Sequence, residues 1–335
     1  MVCKRKHIQF SFPIWSLCIY KNYVLITGGG GGKKFGLENK LNIYKSGSME
    51  LVKEHSTGDQ LASSLNYIPS KDLILAAYGK GISAFKINEK NDFVKLFYTE
   101  SEKEKGSGTV RPFDQDTKIV SGGEEGVIKV WKFDSETSIT KLVEIVVGIE
   151  VSCVDAKGKF VCAALKNKSC AIYSAETGCK LKSLMFSEKP SVPMMFKSCS
   201  FTNKSLLTLQ TGPKMASYLT KWKITNDMQV IPEDSIQVSN TSATYLKVSK
   251  SGKLAGIGSS DGKIIVVKTD ELEIVMSKME FHMPATSLDF NSNESAMIIG
   301  AADYSCAYIK ITSNFWNALY FVLSAIVISY FIIKT

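Results

Sequence analysis

ATYLKVSKSGKLAGIGSSDGKIIVVKT, residues Ala243 to Thr269, decides how the chain folds. It opens on a short alternating run, Thr244 to Val248, and turns at a polar stretch containing Gly252. A second run, Leu254 to Ser259, ends in small residues, and Asp261-Gly262 makes another turn. A third run, Lys263 to Lys268, is mostly β-branched. Alternation and β-branched content mark strands, and the Gly-containing breaks mark tight turns. The same order recurs in ATSLDFNSNESAMIIGAADYSCAYIKI, from Ala285 to Ile311, and in TVRPFDQDTKIVSGGEEGVIKVWKF, from Thr109 to Phe133. More degenerate copies begin at Phe12, Leu61, Val151 and Phe196.

The middle strands of these seven units begin near Val24, Leu73, Ile119, Phe160, Leu206, Leu254 and Met297, with successive spacings of 49, 46, 41, 46, 48 and 43 residues. A period in the forties built only of strands belongs to propellers. The expected fold is all-β, a seven-bladed β-propeller over residues 1–311, with long amphipathic helices absent. It resembles the WD-repeat family. Trp131 and Trp222 stand near that family's tryptophan position, and Asp261-Gly262 and Glu125-Gly126 resemble its turn, while its Gly-His pairs are missing. Outer strands are expected at Phe93 to Tyr98, Lys141 to Val146 and Lys180 to Met185. The seventh unit has no outer strand after it. HIQFSF, residues 7–12, alternates correctly and is expected to close the ring beside Cys306 to Ile311, removing an exposed sheet edge.

FWNALYFVLSAIVISYFII, Phe315 to Ile333, carries no charge. As a helix it reaches roughly 28 Å, close to a hydrocarbon core. Trp316 and Tyr320 lie near one end and Tyr330 near the other, as interfacial aromatics do. One C-terminal transmembrane α-helix is therefore expected over 315–333, after a tether at 312–314 and before a lumenal tail at 334–335. The tether spans at most about 10 Å, which would hold the propeller against the bilayer. The start, MVCKRKHIQF, has no apolar run long enough for a signal peptide, so the propeller is expected to face the cytosol. Glycan on Asn167, Asn203, Asn240 or Asn293 would refute that topology.

Charged residues are 22% of the 335 and hydrophobic residues 44%, enough for a substantial core. The 8 cysteines are scattered, with no CxxC pair, which reads as free thiols in a reducing compartment and against a zinc site. Net charge is +9, but the lysines are dispersed. That suits weak attraction to an anionic membrane surface; no recognition helix or basic stripe points to nucleic acid. The three histidines, His7, His55 and His282, sit in no nucleophile or metal-ligand pattern, so no bond-making chemistry and no organic cofactor is expected.

One turn is anomalous. Between the second and third strands of unit one lies GGGGGKKFGLENK, Gly28 to Lys40. Consecutive glycines reach backbone conformations closed to other residues and can turn carbonyls or amides inward around an ion. The phosphate-binding pattern GxxxxGK[ST] is not met, because Lys33 is followed by Lys34 and the setting is a hairpin.

GGGG, a basic stretch and Gly-Leu-x-Asn-x-aliphatic in a first blade resemble the Sec-twelve family, called prolactin regulatory element-binding protein in animals. Gly28 to Gly32, Lys33 or Lys34, Gly36, Leu37, Asn39 and Leu41 carry the likeness, and the seven degenerate blades and C-terminal anchor extend it over the chain. An extra glycine or shifted register, and no lumenal domain of the kind some members have, are departures. The resemblance implies a guanine-nucleotide exchange factor, active without bond chemistry. Its partner would be a Sar-type small GTPase of the COPII coat at the endoplasmic reticulum membrane. It also implies a potassium ion on backbone oxygens of Gly28, Gly29, Gly30, Gly31, Gly32 and Gly36. Asn39, Leu37 and Leu41 would then order the loop or meet the GTPase, though Leu41 also reads as the start of the next strand. The alternative is a tail-anchored propeller scaffold without exchange activity.

Overall fold

The structure is a computed structural model that describes residues 7–30, 36–101, 106–185, 194–212, 214–225 and 229–311. Seven antiparallel sheets follow one another along the chain. Blade 1 holds Ile14–Tyr20, Tyr23–Gly28, Asn39–Lys45 and a split outer edge, Leu51–Lys53 and Ser56–Gly58. Blade 2 holds Ala62–Ile68, Leu73–Tyr78, Gly81–Ile87 and Phe93–Glu100. Blade 3 holds Ser107–Phe113, Lys118–Gly123, Val127–Phe133 and Ile139–Val146, and blade 4 Val151–Lys157, Phe160–Leu165, Cys170–Ser174 and Lys180–Leu184. Blade 5 holds Met195–Phe201, Ser205–Thr211, Ser217–Ile224 and Val230–Ser239, and blade 6 Ala243–Val248, Leu254–Ser259, Lys263–Lys268 and Glu273–Met279. Blade 7 holds Ala285–Phe290, Ala296–Ala301 and Ser305–Lys310, and its outer strand is His7–Gln9. The middle strands start within one residue of the positions that the repeat spacing marks.

First and last strands join in the register His7↔Ala307, Ile8↔Cys306 and Gln9↔Ser305. This strand is shorter than the six residues of HIQFSF. Phe10 leaves it, its N–H donating to Tyr304 O at 2.7 Å and its ring meeting the Tyr44 ring edge-on at 5.2 Å. Phe12 is buried where the chain crosses from the rim of blade 7 to the inner strand of blade 1.

All seven inner strands carry a bulge at the same point: Ile14/Ser16, Ala62/Ser64, Ser107/Thr109, Val151/Cys153, Phe196/Ser198, Ala243/Tyr245 and Ala285/Ser287. An inner edge has main-chain N–H groups with no strand beside them, and buried N–H groups need partners. Side chains of the neighbouring blade supply them. Leu65 N–H donates to Ser16 Oγ at 3.0 Å, Leu17 N–H to Ser287 Oγ at 2.9 Å, and Phe201 N–H to Asp155 Oδ2 at 2.8 Å. Ile19 N–H likewise donates to Asp289 Oδ2 at 2.9 Å, tying blade 1 to blade 7.

The core lies between blades. Leu207, Leu209 and Leu219 of blade 5 meet Leu246, Ile257 and Ile265 of blade 6. Each such side chain contributes about 1.5–3 kcal/mol on burial. Trp131 Nε1–H donates to Ser121 Oγ at 3.0 Å and Trp222 Nε1–H to Thr208 Oγ1 at 2.7 Å, the same rung in blades 3 and 5. Four cysteines far apart in sequence, Cys153, Cys162, Cys170 and Cys199, meet between blades 4 and 5. Their thiols are free, and burial pushes that of Cys162 well up. Among the described residues no group of His, Cys, Asp and Glu is arranged to hold a metal ion.

Among the described residues the one helical element is a 3-10 turn at Pro69–Lys71, and no helix is long and apolar enough to cross a membrane. The tether 312–314, the apolar stretch 315–333 and residues 334–335 lie outside the described residues.

Candidate functional site

In blades 2 to 7 the turn from second to third strand takes two to five residues, whereas in blade 1 it runs from 29 to 38. The base of this loop extends the hairpin. Gly28 pairs with Lys40, and a Cβ on Gly28 would lie 2.1 Å from Pro13 O and 2.3 Å from the Phe12 ring. Gly29 has φ +140°, and a Cβ there would lie 2.5 Å from Asn39 Oδ1. On Gly30 it would lie 2.7 Å from Leu37 Cβ. Three consecutive glycines are thus set by close approach of the opposite side of the stem and of the chain before strand Ile14–Tyr20. Gly36, at φ +82° with open space around it, is a turn glycine.

Both main-chain groups of Gly29 are held by the segment that precedes it. Its N–H donates to Pro13 O at 3.2 Å, and its carbonyl accepts from Trp15 Nε1–H at 2.7 Å. Asn39 is fully buried, and its Nδ2 donates to Gly58 O at 3.1 Å, tying the stem to the outer edge. Glu38 accepts from Ser56 Oγ on that same edge. Lys40 Nζ pairs with Glu54 Oε1 at 2.8 Å.

The residues singled out in the sequence therefore divide. Asn39 and Leu41 are interior, Leu41 in the core shared with blade 2. Leu37 is half-buried against Gly30. Gly28, Gly29 and Gly30 line the stem, Gly36 is exposed, and Gly31 and Gly32 lie outside the described residues, as do Lys33 and Lys34. Sequence reasoning missed Trp15, a residue 42% exposed beside Gly29. Aligning the seven inner strands at their bulges would have found it. The equivalent residues are Ser63, Gly108, Ser152, Lys197, Thr244 and Thr286, none of them aromatic.

Two buried hydroxyls near this stem have no partner among the described residues. Thr27, one residue before Gly28, has a fully buried hydroxyl with no hydrogen-bond partner among the described residues, and so does the buried Thr57 on the outer edge. Thr27 pairs with Leu41, so Thr27 and Asn39 share the face turned toward blade 2. Neutral hydroxyl and carbonyl oxygens suit a weakly held monovalent ion better than a divalent one, which draws carboxylates.

No protein-family model matches the chain. No curated protein matches it. A solved structure described as the computationally designed Ika8 protein, in one crystal packing, is similar to it with a TM-score of 0.60 and 13% sequence identity. The match covers 90% of this chain and 98% of that one. The chain is a seven-bladed β-propeller. At that identity the likeness is one of fold alone, and such a fold serves many unrelated activities.

Proposed function

We propose that this chain is a guanine-nucleotide exchange factor for a Sar-type small GTPase, promoting GDP release and GTP loading at the endoplasmic reticulum membrane and so initiating COPII vesicle formation. The observation that supports this reading is the blade 1 loop, the longest of the seven turns from second to third strand, whose base is held by Pro13, Trp15 and Gly58. The sequence resemblance lies in this same loop.

Exchange needs no bond chemistry. The factor binds the nucleotide-free GTPase better than the GDP form, and by linkage it weakens nucleotide affinity by the same coupling free energy. A rigid ring presenting a loop whose base is held by hydrogen bonds keeps the ordering cost of docking small. Asn39 acts in this reading from the interior, holding the stem to Gly58, while Leu37 would face the partner. Carbonyls of Gly28 to Gly30 and the Thr27 hydroxyl would hold potassium, which would supply positive charge to brace the loop. The helix over 315–333 would keep the propeller on the membrane where a GTPase that inserts an amphipathic segment is loaded.

A propeller scaffold that binds a partner without exchange is the second reading. A hollow of about 530 Å³ between blades 2 and 3, lined by Gln60, Ser63, Lys80, Glu100 and Glu124 among others, is a surface that such a scaffold could present. The test is release of fluorescent GDP from a Sar-type GTPase on addition of the full chain in lipid vesicles. Accelerated release supports exchange. Binding without acceleration leaves the scaffold reading.

A further inference from the structure

Trp15 breaks the pattern of its own ring. At the equivalent position in blades 2, 6 and 7 a hydroxyl reaches across to the next blade. Ser63 Oγ donates to Gly108 O at 2.9 Å, Thr244 Oγ1 to Ala285 O at 2.6 Å, and Thr286 Oγ1 to Ile14 O at 2.5 Å. In blade 1 the indole donates instead within its own blade, to the carbonyl of Gly29. An inter-blade link that recurs elsewhere is replaced by a contact that holds the base of the long loop. Among the described residues Trp15 is the exposed aromatic nearest that loop in sequence, and tryptophan is enriched among the energetic anchors of protein interfaces.

We infer that Trp15 is a positioning residue for the blade 1 loop: its indole N–H fixes the Gly29 carbonyl, and its exposed face forms part of the surface that receives the GTPase. This rests on the exchange reading given above. Gly29 occupies a main-chain conformation at φ +140° that needs external support, and two bonds from the Pro13 to Trp15 segment supply it. Removing one leaves the stem free to sample other conformations. Only the competent fraction then binds, so apparent affinity falls by that fraction.

Two variants of the full chain separate the donor from the ring. Trp15→Phe keeps an aromatic face and deletes the N–H; Trp15→Ala deletes both. The readouts are amide hydrogen exchange at Gly29, Gly30 and Gly36 to Asn39, and GDP release from a Sar-type GTPase over a range of GTPase concentrations. For Trp15→Phe the stem amides should exchange faster while amides of blade 6 do not change. The second-order rate of nucleotide release should fall about fivefold, the size of one ordinary hydrogen bond. Trp15→Ala should show the same amide change and a further rise in the GTPase concentration needed for half-maximal rate. Unchanged stem amides in Trp15→Phe would overturn the inference, and so would faster amides with unchanged nucleotide release. If the wild-type chain does not accelerate release at all, the exchange reading has failed. Unchanged amides in that case would also remove the bracing role of Trp15.

Discussion

Blade 6 and blade 1 solve the same problem, joining a second strand to a third, in different ways. Blade 6 uses three residues, Ser260 to Gly262, held by their own bonds and by flanking main chain: Ser260 N–H donates to Ser242 O at 2.8 Å, and Gly262 O accepts from the N–H groups of Glu280 and Phe281 at 3.2 Å. Gly262 N–H donates to Ser259 O at 3.1 Å, Lys263 N–H donates to Asp261 Oδ1 at 3.2 Å, and Gly262 takes the positive φ of +85°. Blade 1 spans residues 29–38, and the base of this longer loop is held by Pro13, Trp15 and, through the buried Asn39, Gly58. Both turns take main-chain support from the segment before their inner strand, Gly29 from Pro13 and Ser260 from Ser242; blade 1 adds length and the Trp15 indole on the Gly29 carbonyl. Side-chain support at the base of a long loop suits a surface meant to meet a partner.

Variants that strike each region should show whether that division holds. The largest effect is expected from removing residues 1–12, which strips blade 7 of its outer strand and the core of Phe12. Cooperative unfolding followed by circular dichroism should be lost or shifted down by well over about 10 °C. An unchanged melt would mean that closure is dispensable. Next come two glycines whose added Cβ would meet a carbonyl oxygen at the same distance, Gly262 with its positive φ in addition. Gly28→Ala meets Pro13 O at 2.1 Å and Gly262→Ala meets Phe281 O at 2.1 Å. Overpacking of this kind costs about 1–3 kcal/mol, and both should lower the denaturant midpoint. Gly28→Ala should also abolish nucleotide release, and Gly262→Ala should leave release per folded molecule intact. Equal losses of release in both would erase the contrast between the blades.

Asn39→Ala removes a buried partner of Gly58 O and should cost about 1–3 kcal/mol, together with a fall in nucleotide release. Denaturant titration and the release assay measure the two effects separately. The smallest effect belongs to Gly36→Ala, where nothing lies within 4 Å and the cost comes from φ +82° alone, about 1–2 kcal/mol. A drop in stability as large as that of Gly28→Ala would show that the exposed turn is more tightly held than the stem.

Much of the fold was legible because strands and turns leave local marks. Alternation gave Ala243–Val248 and the run from Leu254, and the missing outer strand of the last unit pointed to His7. The closing strand came out shorter because Phe10 and Phe12 are drawn into the core beside Tyr44, a tertiary contact with no sequence period. The split outer edge of blade 1 was not legible for the same reason: Ser56–Gly58 pairs beside Asn39 to serve the loop. At the site, the run of glycines was visible, but its cause was not. Spacing suggested freedom around an ion, while the structure adds close contacts with Pro13, Asn39 and Leu37 that only small residues allow. The meeting of Cys153, Cys162, Cys170 and Cys199 was likewise hidden, since blades 4 and 5 bring together residues up to 46 positions apart.

The most direct measurement replaces residues 29–38 with the blade 6 turn, Ser260-Asp261-Gly262, in the full chain. GDP release from a Sar-type GTPase is then followed in potassium buffer, beside the thermal melt. The expected result is a melt close to wild type with nucleotide release reduced to the uncatalysed rate. Release at the wild-type rate in that chimaera would contradict the assignment of exchange to the blade 1 loop.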